Sequence, residues 1–246
     1  MKVSGKEFAF ILAALIVLSI LVVPALSRAR ETGKRATCQN NLKQLGIVLK
    51  MYANESRGEC YPPLSPKSGN WMMDMDAVYP EYLSDLTVLK CPDSPLNFDQ
   101  DFTLRENMRH PGAPLNVPHP DCVTGKYYTY TGYTLTGDET ALALYFAYHA
   151  NPDAVRKKGD LTLPIPHWEH SQWNAMKGGF VVLWDRVPAD PAMMPHKAGA
   201  INVLAADGSV QAVRYSPMNQ SENFPATEIA ALTFGLDVPE TDPGCY

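Results

Sequence analysis

The side chains best suited to chemistry are six histidines and five cysteines, and their spacing narrows what they can do. His196 precedes Asp207 by a short, strand-like run, a pairing that invites an acid–base or metal reading. The nearest other carboxylates in sequence are Asp185 and Asp190. His167 and His170 form an H-x-x-H that, with His196, offers zinc-compatible nitrogen ligands, although Pro166 and Trp168 place it on a loop. A calcium loop of the D-x-D-x-D-G type is missing. So are a G-x-S-x-G nucleophile, a glycine-rich phosphate loop and an H-E-x-x-H. No catalytic residue and no metal ligand is therefore assigned, and no enzyme activity is expected. The simpler expectation is that Asp207 serves a turn and His196 bonds backbone at a strand entrance.

The cysteines contain no C-x-x-C pair. Cys60, Cys91, Cys122 and Cys245 lie in turn-rich segments and are the candidates for two disulfides. Cys38 lies on a helical pattern and is expected to remain the unpaired thiol.

Several elements must hold these groups. Residues 126–136, KYYTYTGYTLT, read as strand with Gly132 as a bulge. Most aromatic stripes of this kind are sheet core, and a carbohydrate platform is the minority reading. Residues 138–150 read as a helix ended by Asn151-Pro152, and residues 179–185 as a buried strand. Asp207-Gly208 between residues 201–206 and 209–213 is the strongest hairpin signal in the chain. Residues 71–90 suggest short helical turns broken at Pro80, and residues 226–234 a last helix with Gly235 beyond it.

The N-terminal part differs from all of this. Residues 8–26 carry no charge, and 19 helical residues span about 28 Å, the thickness of a bilayer's hydrocarbon. The run is longer than the apolar part of a secretory signal and continues without a turn into residues 27–56. There Leu42, Leu45, Leu49 and Tyr52 recur at helical spacing. One helix of about 50 residues is expected, fading near Gly58, with bends or local melting at Pro24 and Gly33. Residues 1–56 hold eight Lys/Arg and three Glu, a net +5, whereas residues 57–246 net −10. A basic stem (1–56) thus carries an acidic head (57–246), and a chain of net charge −5 is not a general nucleic-acid binder.

Two signals for topology conflict. Four of the five cysteines lie in the head, which fits an oxidising exterior. Yet Lys2 and Lys6 precede the span while Arg28, Arg30, Lys34 and Arg35 follow it, and that asymmetry favours a cytoplasmic head. Glu7, just before the apolar run, is either solvated at a helix N-terminus or paired with a neighbouring chain when stems pack.

Glu7, the run to Val23, and Pro24-Ala25-Leu26-Ser27-Arg28 resemble the N-terminal segment of type IV pilins and type II secretion pseudopilins, in which a glutamate and a proline are likewise seventeen residues apart. Cys38-Gln39-Asn40-Asn41-Leu42-Lys43-Gln44-Leu45-Gly46, Met51-Tyr52-Ala53 and Cys91-Pro92 resemble a planctomycete-type subgroup of pseudopilin-like proteins. Its C-terminal His…Asp-Gly signature is similar to His196, Asn202, Asp207 and Gly208, with ten residues between His196 and Asp207 where the subgroup has nine. Prepilins are cut after a glycine; the matching position here lies between Lys2 and Val3 and has none.

The resemblance implies an α+β, pilin-like fold: a long N-terminal helix packed on a small antiparallel sheet. It implies a filament subunit, with Glu7 and Pro24 as assembly residues and stem-to-stem self-association. It implies a single-pass inner-membrane protein before assembly, a periplasmic or extracellular head, and prepilin peptidase and an assembly platform as partners. Calcium in a C-terminal loop is the one cofactor the resemblance admits. From a different class, a monomeric membrane-anchored module binding glycan or protein is the alternative.

Overall fold

The computed structural model describes residues 5–56, 60–95, 102–106, 111–156, 165, 167, 180–196, 199–216, 224–236 and 245. Helix α1 runs unbroken over Gly5–Glu55. It is continuous through Pro24 and Gly33, so of the bends or melting expected there the melting is absent. Intrahelical Thr32 and Thr37 hydroxyls bond carbonyls one turn back on either side of Gly33. Among the described residues α1 is the one helix long and apolar enough to cross a membrane, with a mean hydropathy of 2.8 over its most apolar window.

Four strands form one antiparallel sheet in the order β1 (Tyr128–Leu135), β2 (Val181–Asp185), β3 (Ala200–Ala205), β4 (Val210–Arg214). The register between β1 and β2 shifts between Tyr130 and Leu135, and Gly132 sits there at φ 70°, so the predicted bulge is present. At the β3–β4 turn Gly208 takes φ 83°, which a side chain would strain, and Ser209 N donates to Asp207 Oδ1 at 2.8 Å.

The sheet is covered on both faces, which explains why β1 and β3 are buried along their whole length. On one face lies the second half of α1. Its Cys38, Leu42, Leu45, Leu49 and Ala53 are fully buried, a stripe at helical spacing. Gly46 brings this helix against β3: a Cβ there would lie 3.2 Å from both methyls of Leu204.

The other face carries α3 (Asp138–Ala150) and α5 (Glu228–Phe234), which follow α2 (Met75–Val78) and α4 (Pro152–Arg156) in the order of their kind. Trp184 of β2 packs edge-on against Phe224 and Phe234, and Trp71 meets Tyr148 and Phe234. Both helices were expected from the sequence, but not their packing as a second layer on the sheet. The outline itself, a long helix on a small antiparallel α+β sheet, is what the structure shows.

Candidate functional site: the junction of stem and head

Where α1 first touches the sheet, side chains from five separate segments converge. Cys38, Gln39 and Asn41 project from α1. A short 3-10 turn, Leu86–Leu89, capped by Asp85 through Thr87 N, delivers Cys91 and Asp93. Asp185 ends β2, His196 lies in the β2–β3 connection, and Asn202 is in β3. Cross-strand alternation aims Asn202 and Leu204 at α1 and Val203 away from it.

The contacts form one network. Cys38 and Cys91 are joined in a disulfide, Cα to Cα 5.0 Å. His196 Nδ1 lies 2.7 Å from Asp93 Oδ2, and Nε2 lies 2.7 Å from Asp185 Oδ2. Asn202 N donates to Asp185 Oδ2 at 2.6 Å. Gln39 Nε2 donates to Asn202 Oδ1 at 3.1 Å, and Asn202 Nδ2 is 2.6 Å from His196 Nε2. Asn41 Nδ2 donates to Lys90 O at 2.8 Å.

Burial is nearly complete: Cys38, Cys91, Asp185 and Asn202 are 0% exposed and His196 1%. Burial alone would hold the imidazole neutral, but hydrogen bonds and charge from Asp185 and then Asp93 outweigh it and raise the His196 pKa above its ordinary value. Asp185 Oδ1 is buried with no hydrogen-bond partner among the described residues. A groove of about 340 Å³, lined by Arg28, Glu31, Thr32, Arg35 and Asp93, reaches the cluster from the apolar end of the stem.

Several expectations are corrected here. Cys38 is paired, because its helix face points into the head and not toward neighbouring stems. The second disulfide is Cys122–Cys245, and Cys60 lies outside both. Among the described residues the His196 side chain meets two carboxylates and Asn202 in place of the expected backbone bond.

His196 and Asp207 are not brought together: β3 separates them by about 16 Å at 3.3 Å per residue. Asp207 caps its own turn, and bonds from Ser209 hold its carboxyl below the ordinary range. Gly208 serves the same turn. Asp190 caps a turn at Ala192.

His167 stacks on Tyr133, 4.0 Å between ring centroids, at a pocket lined also by Cys60, Tyr61 and Arg156. It is not part of the His196 cluster, and His170 lies outside the described residues. The aromatic strip is core: Tyr127, Tyr128, Tyr130 and Tyr133 are at most 2% exposed, so it offers no platform to a glycan. Pro24 sits within α1. Of Glu7 only the helical backbone is described.

Asp93 and Gln39 escaped sequence reasoning. Asp93 follows Cys91 by two positions, and Gln39 follows Cys38 by one. Adjacency to the paired cysteines is the signal that marks them.

Residues 27–159 match the family described as protein of unknown function DUF1559. The match spans more than half of the chain. The chain belongs to the DUF1559 family. This is a family of planctomycete-type pilin-like proteins. The match begins just past the apolar segment and includes Cys38, Gln39, Asn41, Cys91 and Asp93, so the stem-side half of the junction lies within the family region. No curated protein and no solved structure matches the chain.

Proposed function

We propose that this DUF1559 protein is a non-enzymatic structural subunit of a type IV pilus-like or type II secretion pseudopilus filament. The observation that carries the reading is the two-part α1: its first half is an uncovered apolar helix, and its second half is built into the head without a break. Such a stem can leave a bilayer for a bundle of like stems while transmitting its position rigidly to the head. Glu7 and Pro24 act in stem packing, with Glu7 neutralised by a partner that fixes register. His196, Asn202, Asp207 and Gly208 serve the fold of the head, the first two at the junction and the last two at the β3–β4 turn.

The head is placed outside the cytoplasm, in the periplasm or on an extracellular filament. Two disulfides support that side, against the basic residues that follow the span. Before assembly the chain is a single-pass inner-membrane protein, served by a prepilin peptidase and an assembly platform. The binding-module alternative has lost the exposed aromatic strip on which it rested.

The test is assembly. Sheared surface filaments should contain the wild-type chain and lack Glu7→Ala, while both reach the membrane in equal amounts. Wild-type protein that stays monomeric in membranes, or a Glu7→Ala chain that assembles normally, overturns the proposal. N-terminal sequencing of the mature protein then fixes any cleavage relative to Glu7.

A further inference from the structure

We infer that the junction is also a metal site: with the Cys38–Cys91 disulfide reduced, the two thiolates and His196 bind one zinc-class divalent ion, so that metal and disulfide are alternative clasps between stem and head. One sulfur from each cysteine and a ring nitrogen of His196 all lie within 4.8 Å of one another, and all three residues are buried. A tetrahedral zinc centre sets such donors about 3.5–3.8 Å apart, so once the S–S bond is broken the two sulfurs must part by about 1.5 Å and the ring nitrogen close in by up to about 1 Å. Sulfur and imidazole together suit a borderline-soft cation and not calcium or magnesium.

The surroundings supply the rest of a metal centre. Ligating histidines usually donate their second ring N–H to a carboxylate, which fixes the tautomer. His196 has a carboxylate at each nitrogen, Asp93 at 2.7 Å and Asp185 at 2.7 Å. One can close the tetrahedron while the other holds the ring.

An independent observation points the same way. Asp185 Oδ1 is fully buried and unpartnered among the described residues, as a carboxylate beside a cation site would be. The groove lined by Arg28, Glu31, Thr32, Arg35 and Asp93 meets the cluster at Asp93, its partly exposed edge.

A dithiol reductant breaks the Cys38–Cys91 S–S bond, gives up two electrons and two protons, and leaves as its own disulfide. The metal then displaces the two thiol protons, and any proton on the ligating ring nitrogen of His196, and binds two thiolates and an imidazole; the two thiolates cancel its double charge. A head still facing reducing conditions would carry the metal clasp, and an oxidised head the disulfide. Both forms hold α1 to the segment that carries Cys91.

The experiment titrates cobalt(II), then zinc, into the full-length chain in detergent after reduction by a phosphine, which takes oxygen from water as it is oxidised. One equivalent of cobalt should give thiolate charge-transfer and tetrahedral d–d bands, and zinc should abolish both. Cys60→Ser and the double variant Cys122→Ser/Cys245→Ser should keep the bands, and the oxidised chain should show none. Asp93→Asn and Asp185→Asn should weaken binding about 10–100-fold. Should His196→Ala fail to fold, the wild type still decides: zinc must slow alkylation of Cys38 and Cys91 in the reduced chain and leave Cys122 and Cys245 unaffected. The inference is overturned by a folded, reduced chain without bands, by bands that survive in His196→Ala or that need Cys60, Cys122 or Cys245, or by alkylation that zinc does not slow at Cys38 and Cys91. A reduced chain that loses its circular dichroism and does not regain it with zinc overturns it equally.

Discussion

Between Phe10 and Leu26 the large apolar side chains of α1 are 41–77% exposed, whereas between Cys38 and Ala53 one face of the same helix is sealed against the sheet. The upper half is apolar on every side, with Ser19 satisfied by bonding Leu15 O at 2.8 Å. The lower half is striped, with Leu42, Leu45 and Leu49 inward and Lys43 and Lys50 outward. Only a partner without water can cover the first pattern, and the protein's own sheet covers the second. Continuity of the backbone through Gly33 makes the two halves one lever. What differs is the solvent each half is written for.

The sharpest way to break this comparison is to remove one side of it. A chain starting at residue 28 should appear in the soluble fraction without detergent, while the full-length chain should stay with membranes. Fractionation and size-exclusion chromatography check this, and a truncated chain that still pellets would reveal a second membrane-binding surface on the head.

Next in size is the clasp. Cys38→Ser opens a cross-link of sequence separation 53, for which chain entropy gives about 4 kcal/mol. Denaturant unfolding of the head should show that loss. Membrane association of the upper half should not change.

A paired substitution then sets the halves against each other directly. Leu45→Ala empties a fully buried site and should cost about 2–5 kcal/mol. Leu18→Ala, at a site 56% exposed, should change the stability of the head by under about 0.5 kcal/mol. Equal effects would mean that the upper half, too, packs on protein.

How much of this the sequence revealed depended on range. Local signals served well. Asn151-Pro152 ended α3 where expected, Asp207-Gly208 made the hairpin, and Gly132 made the bulge, because each acts through its own backbone within a few residues.

The junction was illegible because it is non-local. His196 and Asp93 are 103 positions apart, and Cys38 and Cys91 are 53 apart. No periodicity links a helix face to a loop after a 3-10 turn. The stripe on α1 showed that a face was buried but not against what, so Cys38 read as facing other stems. Phe146 shows the same limit. It shares helix α3 with Leu144 and Tyr148, yet it is 66% exposed while they are buried, since the positions of α5 and β1 decide which face is covered. For the candidate site, His196 was singled out by residue type and Asn202 only through the resemblance, and neither reading named the partners the structure gives them.

The smallest effect tests the contact distance between helix and sheet. A Cβ added at Gly33 would meet nothing within 4 Å, whereas at Gly46 the same atom would lie 3.2 Å from both Leu204 methyls. Both glycines are interior to α1, so alanine should gain up to about 1 kcal/mol of helix propensity at each. At Gly46 that gain is opposed, because Leu204 is fully buried and must shift by a few tenths of an ångström in a packed layer. Gly33→Ala should therefore stabilise by about 0.5–1 kcal/mol, and Gly46→Ala should be near neutral. Replacing Gly46 by Val adds two methyls to the same gap and should cost about 1–3 kcal/mol. Unfolding midpoints of the three variants in detergent check the order. If Gly46→Ala gained as much as Gly33→Ala, α1 would stand farther from β3 than the Leu204 contact requires, and the lower half would be less tightly built into the head than its buried stripe implies.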